Sequence, residues 1–564
     1  MAYKRLGDLL IAAGVLTEDK LAEALTIQKG SGKRLGDVLT SNNFITSQQL
    51  IEALEMQLGV DFIDLSKTVL APELSRLIPK TVAKKHNVVP VKVDRDQIYL
   101  AMSDPLNFMA IEEVKNITRK RVVPVIATSE GVDRAIMSLY GNEGVARAIE
   151  EMRRDAGGEE YTSEAFQGTV LEGDDTGAAP TIRLVNSIIE RAVTERASDI
   201  HLEPREDEMA VRLRVDGVLR NVMQIPRNLQ SSVISRLKVL GGINTSERKI
   251  PQDGRANVRV KQSDVDLRIS TLPTIYGEKM VIRLLDKSSQ IFSRKGIGLD
   301  EYNIPRFEKI LRATAGVILI SGPTGSGKSS TMSTMIRELN REEVNIVTLE
   351  DPVEYNIDGV NQVQINEKVG MTFAGGLRSI LRQDPDIISV GEIRDGETAE
   401  IAMRSAITGH LVISTIHTSD CVATLDRLMD IGVAPYLTSA ALKGVISQRL
   451  VRKICPDCRE AYEPTDDELD LLGMEREEGM VFYRGKGCPM CYHTGYRGRT
   501  GVFEILTVDH DMRRKILNRA QRDETMATAL KEGMVPLAER CRQLVRDGVT
   551  SVEEASKTIH STDE

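Results

Sequence analysis

Two hydrophobic patterns alternate along most of this chain. Short apolar runs rich in β-branched residues, such as Gly316–Ser321, predict buried strands. Stretches in which apolar residues recur three or four positions apart, such as Pro180–Arg196, predict amphipathic helices. From Gly316 onwards strand and helix alternate repeatedly, which is typical of a mostly parallel sheet with helices on its faces. The predicted fold class is therefore multidomain α/β.

The patterns divide the 564 residues into four regions. The N-terminal region is 1–140, with a duplicated helical module at 1–60 and a small α/β unit at 61–140. A Gly-, Asp- and Glu-rich segment without periodicity follows at 141–179 and is interpreted as a flexible linker. A second α/β domain is predicted at 180–290, and the main α/β core with a helical C-terminal part at 300–564. Strands are predicted in the two smaller units at Asn87–Val93, Gln97–Ala101, Val122–Ile126, Met209–Val215 and Val265–Ser270.

The first sixty residues contain an internal repeat. Arg5–Asp8 reads Arg-Leu-Gly-Asp and recurs as Arg34–Asp37, and each copy continues into a turn and a second helix. Gly14 falls at the first turn, where a left-handed residue is expected, and Asn43 takes its place in the second. Periodicity alone favours a duplicated helical hairpin whose apolar stripe packs into a core.

A phosphate-binding loop follows the strand Gly316–Ser321. The segment Gly322–Ser329 fits G-x-x-x-x-G-K-[ST] at every position, and a helix is predicted over Ser330–Asn340. Lys328 would reach the β- and γ-phosphates of ATP, and Ser329 would bind Mg²⁺. The helix N-terminus favours negative charge. The predicted nucleotide-binding residues are Gly322, Pro323, Thr324, Gly325, Ser326, Gly327, Lys328, Ser329 and Ser330.

Three later strands end in side chains suited to phosphate chemistry. These strands are predicted at Asn345–Glu350, Asp386–Val390 and His410–Ile416. Nucleotide sites in open α/β sheets lie at the carboxyl ends of strands, so Glu350, Glu392 and His417 should converge on the phosphate loop. An acid there can hold Mg²⁺ or orient the attacking water.

Four of the six cysteines form two Cys-x-x-Cys pairs. Cys455 and Cys458 make the first pair, and Cys488 and Cys491 the second. This spacing predicts a structural Zn²⁺ held by four thiolates. His493 is an alternative ligand, although four cysteines suffice. The remaining cysteines, at 421 and 541, are expected to be ordinary buried residues.

Charge and hydropathy narrow the function classes. The net charge of −9 gives no electrostatic case for nucleic acid as a partner. No apolar run reaches the ~18 residues of a membrane-spanning helix, and no signal peptide opens the sequence. We therefore expect a cytoplasmic protein.

Taken together, these motifs resemble the secretion ATPase family of type II secretion and type IV pilus systems. The matching segments are Ser198–Pro204, the phosphate loop, Glu350–Tyr355, Gly391–Asp395 and Gly409–Thr418. The resemblance implies a RecA-like P-loop core preceded by a PAS-like α/β domain. It also makes Glu392 the Walker B carboxylate and Glu350 a second catalytic acid. Arg268 and Arg283 match arginines that the family presents to nucleotide across domains or subunits.

The repeat resembles the cyclic-di-GMP-binding N-terminal module of some of these ATPases. The resemblance implies that its arginines, Arg-Leu-Gly backbone and apolar side chains clasp the dinucleotide. Asn43 departs from the family's glycine. The residues implied are Arg5, Leu6, Gly7, Arg34, Leu35 and Gly36.

The resemblance implies a homohexameric motor that converts ATP hydrolysis into domain rotation. Its partner would be the inner-membrane platform protein of a pilus machine, which would recruit it to the inner face of the cytoplasmic membrane. The type II secretion motor shares every catalytic motif and is the alternative, and the tetracysteine element fits both. A nucleic-acid translocase is disfavoured by the charge, and a non-catalytic scaffold by the intact Lys328, Ser329 and Glu392.

Overall fold

The computed structural model describes most of the chain. It covers residues 179–563 except 261–262 and 287–291, residues 70–140 except 130, 137 and 138, and residues 170–171. Before residue 70 it covers 13–31, 35–42, 60–65 and the single positions 7, 10, 11, 44, 45, 49, 53 and 68. The predictions for Arg5, Leu6, Arg34, Asn43 and most of the 141–179 segment lie outside these residues.

The described part of the repeat consists of helices around a small core. Helix α1 spans Glu18–Ser31 and α2 spans Leu35–Ser41. Leu10 and Leu39, which occupy equivalent positions in the two copies, are both fully buried. Gly14 has the left-handed φ of 69° that the turn requires. The duplicated apolar pattern thus forms a core, as the periodicity predicted.

The small α/β unit has a three-stranded sheet, and its predicted strands are confirmed within a residue or two. Its middle strand pairs antiparallel with the first and parallel with the third. The helices pack on the sheet because their apolar residues, such as Ala110 and Val114, face it. The elements are α3 (Lys80–His86), β1 (Val88–Asp94), β2 (Gln97–Met102), α4 (Phe108–Thr118) and β3 (Arg121–Ile126).

The second domain packs two helices against a seven-stranded sheet in the order β4-β8-β9-β10-β5-β6-β7. Strand β4 lies inside the segment interpreted as a linker and pairs in parallel with β8. The elements are β4 (Val170–Leu171), α5 (Pro180–Thr194), β5 (Asp199–Pro204), β6 (Glu208–Val215), β7 (Val218–Pro226), α6 (Gln230–Leu240), β8 (Gln252–Val260), β9 (Ser263–Thr274) and β10 (Gly277–Asp286).

The main core begins with a helix and then alternates strand and helix. Its central strands are buried on both faces because helices cover each side of the sheet. The elements are α7 (Ile304–Leu311), β11 (Gly316–Ser321), α8 (Lys328–Leu339), β12 (Ile346–Glu350), β13 (Asn361–Gln364), α9 (Phe373–Ile380), β14 (Ile387–Val390), α10 (Gly396–Ile407), β15 (Leu411–Ile416), α11 (Cys421–Asp430), α12 (Pro435–Ala441) and β16 (Leu442–Ile454).

Strand β16 leaves the sheet and leads directly into the cysteine element, which we call the cysteine arm (residues 455–495). The arm contains β17 (Arg459–Tyr462), α13 (Asp466–Leu472) and β18 (Phe482–Gly485). The chain returns through β19 (Tyr496–Thr507), which pairs antiparallel with β16. The helical C-terminal part follows as α14 (His510–Leu517), α15 (Arg522–Lys531), α16 (Leu537–Arg546) and α17 (Val552–Asp563).

The complete core sheet has the order β13-β12-β14-β15-β11-β16-β19. All of its strands are parallel except β19. The carboxyl ends of β11, β12, β14 and β15 therefore meet at one edge. Among the described residues, no helix is long and apolar enough to cross a membrane.

Candidate nucleotide and metal sites

The phosphate loop leaves the central strand β11 through glycines that no other residue can replace without strain. Gly322, Gly325 and Gly327 have φ values of 144°, 79° and 91°. A Cβ on Gly322 would lie 2.5 Å from the backbone oxygen of Gln448. The loop is therefore pressed against the neighbouring strand β16. Helix α8 begins at Lys328, two residues earlier than predicted.

Lys328 is buried beneath this loop. Its Nζ donates hydrogen bonds to the backbone oxygens of Gly322 (2.7 Å) and Pro323 (3.0 Å). Burial lowers the pKa of Lys328 to about 8. The nearby Glu392 carboxylate raises the pKa, but its effect is smaller than that of burial. The Lys328 ammonium is therefore poorly solvated, and the negative charge of a bound phosphate would stabilise it. Three residues of the loop that would face nucleotide are exposed, namely Pro323, Thr324 and Gly325, and so is Ser329.

Glu392 and His417 come together, as the strand-end argument predicted. His417 Nε2 lies 3.4 Å from one carboxylate oxygen of Glu392, and Arg394 forms an ion pair with the other oxygen. The Glu392 carboxylate also acts electrostatically on Lys328. These side chains form one charged cluster around the phosphate loop. Such a cluster can bind Mg²⁺ or orient water beside a terminal phosphate.

Glu350 ends the adjacent strand β12. Its Oε1 accepts hydrogen bonds from Thr348 Oγ1 (2.6 Å) and Gln362 Nε2 (3.0 Å). Leu349 is the Cα partner of Val390 in β14, so Glu350 and Glu392 leave neighbouring strands at the same edge. Both bonds are made by Oε1, and they hold the Glu350 carboxylate in one orientation.

The structure treats the two arginines of the second domain differently. Arg268 reaches the core of its own chain, where Nη2 donates to the Val353 oxygen (2.8 Å) and Nη1 pairs with Glu354 (2.9 Å). Arg283 is the Cα partner of Arg268, but its Nε lies 3.3 Å from Asp199 and its side chain is 58 % exposed. Arg268 therefore lies beside the nucleotide edge, whereas Arg283 stays within its own domain.

The four cysteines of the arm converge as predicted. Their sulfur atoms all lie within 4.8 Å of one another, with Cys455 and Cys488 at 3.9 Å and Cys458 and Cys491 also at 3.9 Å. A tetrahedral Zn²⁺ with Zn–S bonds of about 2.3 Å requires sulfur separations of about 3.8 Å, so the set fits zinc. His493 is not part of this cluster.

Hydrogen bonds to Cys491 Sγ favour the thiolate form of this cysteine. The Cys455 thiol and the backbone amides of Cys488 and Gly495 donate to Cys491 Sγ, and these hydrogen bonds lower the pKa of Cys491. A bound Zn²⁺ needs thiolate ligands, and amide donors to the sulfurs favour that charge state. Cys421 and Cys541, outside the cluster, are fully buried, as expected.

Comparison with protein-family models identifies the main part of the chain. The model described as "Type II/IV secretion system protein" matches residues 174–557, which includes the second domain, the core and the cysteine arm. The chain belongs to this family. It is an ATPase of the secretion and pilus type, as the motifs indicated.

Curated members of the type II/IV secretion family include both pilus and secretion ATPases. The type IV pilus assembly ATPase PilB of Thermus thermophilus is 39 % identical over 98 % of this chain, which spans 59 % of that protein's length. PilB of Myxococcus xanthus is 38 % identical over 98 % of both chains. The type II secretion system ATPase E of Vibrio cholerae is 38 % identical over 87 % of this chain and 99 % of its own.

The fold also has a counterpart among solved structures. The Legionella pneumophila ATPase DotB superposes with a TM-score of 0.52 at 21 % identity, over 70 % of this chain and 99 % of DotB. At that identity the likeness shows the fold alone. It agrees with the RecA-like core preceded by an α/β domain.

A second family model, the MshEN domain, matches residues 58–146. This match covers the small α/β unit and begins after the repeat that contains the predicted dinucleotide residues. Gly7 is described, and Leu35 and Gly36 begin helix α2, whereas Leu6 and the two arginines lie outside the described residues. The assignment of cyclic-di-GMP to the repeat stays a prediction.

Sequence reasoning missed Gln448, a side chain that supports the site. Gln448 is 1 % exposed and its Nε2 would lie 2.7 Å from a Cβ on Gly327. The available signal was an amide and a charge, Gln448 and Arg449, inside the apolar run of a central strand. A buried amide needs partners, so such a residue marks a site of specific contact.

Proposed function

We propose that this chain is the motor ATPase that powers type IV pilus assembly. The observation that carries the proposal is the meeting of Lys328, Glu392 and His417 at the carboxyl edge of the core sheet. An ammonium, a carboxylate and an imidazole around an open phosphate loop supply what phosphoryl transfer to water requires: charge stabilisation, metal binding and water orientation.

The nucleotide and metal roles follow from this arrangement. The backbone N–H groups of the loop between Gly322 and Ser330, all but that of Pro323, which has none, hold the phosphates of ATP. Ser329 with Glu392 binds Mg²⁺. Glu350 orients the attacking water or a metal-bound water from the neighbouring strand. Zn²⁺ bound by the four arm cysteines is structural and ties β16 to β19, because these strands lead into and out of the cluster.

The proposed working form is a homohexamer at the cytoplasmic face of the inner membrane. Its partner there is the platform protein of the pilus machine, and its attachment to the membrane is peripheral, through partners. The Myxococcus xanthus PilB, which has nearly the same sequence span, supports this proposal. No contact with nucleic acid is proposed, because the chain carries nine net negative charges.

Two substitutions test the chemistry. Lys328→Ala should abolish steady-state ATP hydrolysis, since it removes the charge partner of the transferred phosphate. Glu392→Gln should retain ATP binding but lose turnover, because it keeps the volume of the side chain and removes its charge. Near-normal hydrolysis by either folded variant would refute the proposed site. Glu301→Gln, an exposed carboxylate on the core outside this cluster, is the matched control.

The alternative is the type II secretion motor, favoured by the 38 % identity to the Vibrio ATPase over 99 % of that protein. Deletion of the gene in its native host separates the two functions. Loss of surface pili with normal protein secretion supports pilus assembly. Retained pili with loss of secreted proteins supports the alternative, and complementation with the Glu392→Gln variant should fail in either case.

A further inference from the structure

A second cavity lies away from the phosphate loop, between the second domain and the cysteine arm. It has a volume of about 480 Å³. One wall comes from the end of α5 and the β6–β7 turn, including Arg196 and Asp216. The opposite wall comes from the end of β16 and the arm, including Lys453 and Arg459. The volume is within the range of about 300–1,000 Å³ that is typical of small-molecule sites.

The lining of this cavity is strongly basic. Seven arginine or lysine residues line it, together with two acids, Glu195 and Asp216, and with Cys491 of the cysteine cluster. Two of the seven cations, Arg452 and Arg497, pair with Glu554 and Asp457 outside the lining. Both acids already have partners: Glu195 pairs with Arg191 at 2.9 Å and with Arg220 at 2.5 Å. Asp216 accepts the Gly498 amide at 2.8 Å and lies 3.7 Å from Arg499. Neither acid is left to neutralise the other cations of the cavity.

Three basic side chains in the lining have no acidic partner among the described residues. They are Arg196, Lys453 and Arg459, and all three are exposed. Arg196 belongs to the second domain, whereas the other two belong to the end of β16 and the arm. Cations gathered in a cleft repel one another and produce a focused positive potential. A ligand with several negative charges would remove that repulsion.

Aromatic rings hold the guanidinium groups around the cavity. Arg452 lies over the Tyr496 ring at 3.9 Å, Arg459 over Tyr483 at 3.7 Å and Arg220 over Tyr492 at 4.7 Å. Stacking fixes the plane of an arginine but leaves N–H donors at its edge. The donors of Arg459 are therefore oriented without being neutralised, which favours a ligand that accepts forked hydrogen bonds.

We infer that this cleft binds a phosphate-bearing anion with two or more negative charges, through Arg196, Lys453 and Arg459. Guanidinium and ammonium groups on opposite walls are the donors that phosphate oxygens prefer. Because the walls belong to different parts of the chain, the bound anion would connect the second domain to the cysteine arm. Either a nucleotide or a phosphate chain without a base carries this chemistry.

Isothermal titration of the full-length protein with inorganic tripolyphosphate tests the inference. The host is the Lys328→Ala variant, measured without Mg²⁺, so that binding at the phosphate loop is weakened. We expect the double substitution Arg196→Gln/Lys453→Gln to make this host bind tripolyphosphate at least about tenfold more weakly. Each charge-assisted hydrogen bond to a phosphate oxygen contributes strongly to the binding free energy. Arg248→Gln/Lys249→Gln is the matched control, since it removes two exposed charges outside the cavity lining, and it should change binding less than about twofold.

A parallel titration with ATP distinguishes the two ligand sources. Tighter binding of ATP than of tripolyphosphate, lost in the same double variant, identifies a nucleotide. Equal affinities identify the phosphate chain alone. Absence of tripolyphosphate binding in the host, or equal weakening by the test and control variants, overturns the inference. Thermal unfolding checks that each variant folds, and Arg459→Gln provides an independent second variant.

Discussion

The side-chain oxygen of Gln448 accepts a hydrogen bond of 2.7 Å from the hydroxyl of Thr331. This bond joins strand β16 to the first turns of the helix that follows the phosphate loop. Gln448 and Thr331 are both buried, at 1 % and 0 % exposure. The same glutamine occupies the space beside Gly322 and Gly327. The phosphate loop is therefore held in place by the strand that continues to Cys455, one of the four clustered cysteines.

Gln448→Leu should raise the KM for ATP by roughly tenfold and lower kcat less. The substitution leaves the buried Thr331 hydroxyl without its partner, at a cost of about 1–3 kcal/mol, and loosens the loop that binds the phosphates. Steady-state kinetics measures both constants. Thr331→Val removes the same bond from the other side, so the double variant should cost little more than either single one. Fully additive losses would contradict the assigned role.

Binding of nucleotide should be coupled to proton uptake by Lys328. The pKa of Lys328 in the free protein is about 8, so about half of these side chains are neutral at pH 8. Phosphate favours the charged form and raises the pKa, so binding takes up about half a proton at pH 8 and weakens as pH rises further. Calorimetry in buffers of different ionisation enthalpy measures this uptake. Lys328→Arg, which stays charged, should show no buffer dependence, and the absence of buffer dependence in the parent protein would disprove the coupling.

Arg268 should act within its own subunit. Its contacts to Val353 and Glu354 belong to the same chain, so Arg268→Ala should lower turnover. A mixture of Arg268→Ala and Lys328→Ala subunits should recover no ATPase activity, because neither subunit has an intact nucleotide site. Arg283, which pairs with Asp199 and contacts no ATPase-core side chain among the residues that the structure describes, is the matched comparison. If the mixture of Arg283→Ala with Lys328→Ala subunits recovers ATPase activity and the Arg268→Ala mixture does not, only Arg283 acts across subunits. Recovered activity in the Arg268→Ala mixture would contradict the intrachain role of Arg268.

The purified protein should contain about one Zn²⁺ per chain. Elemental analysis of Cys455→Ser/Cys488→Ser should show loss of metal, and the variant should unfold at a lower temperature because the arm loses its cross-link. The control variant is Cys541→Ser, which changes a buried cysteine of the C-terminal helices outside the cluster. This variant should retain about one Zn²⁺ per chain. Stoichiometric zinc in the double variant would rule out this ligand set.

The duplicated N-terminal module should bind cyclic-di-GMP. Each copy offers one arginine for a guanine or phosphate, so Arg5→Ala or Arg34→Ala should weaken binding roughly five- to hundred-fold. Isothermal titration of the full-length chain measures this, with Arg121→Ala in the small α/β unit as the control. No heat at tens of micromolar ligand would leave the repeat as a packing module.

Much of the site was predictable because its chemistry is local. The phosphate loop depends on glycine conformations and a lysine within one short segment, and the structure forms it as expected. The cysteine cluster comes from two Cys-x-x-Cys pairs, and the sulfur separations match those that a tetrahedral Zn²⁺ would need. The ends of parallel strands meet at one edge, so Glu392 and His417 could be paired from the strand pattern.

The tertiary structure decided which distant residues complete these sites. Gln448 supports the phosphate loop because β16 pairs in parallel with β11, so that Ser447 lies opposite Ser321. No local pattern specifies that register. The sequence predicts the same role at the nucleotide for Arg268 and Arg283, yet of these two only Arg268 contacts the ATPase core. The basic cavity depends on how the second domain packs against the arm. Backbone geometry and ligand spacing are encoded within a few residues, whereas strand order and domain packing arise from contacts spread over the whole chain.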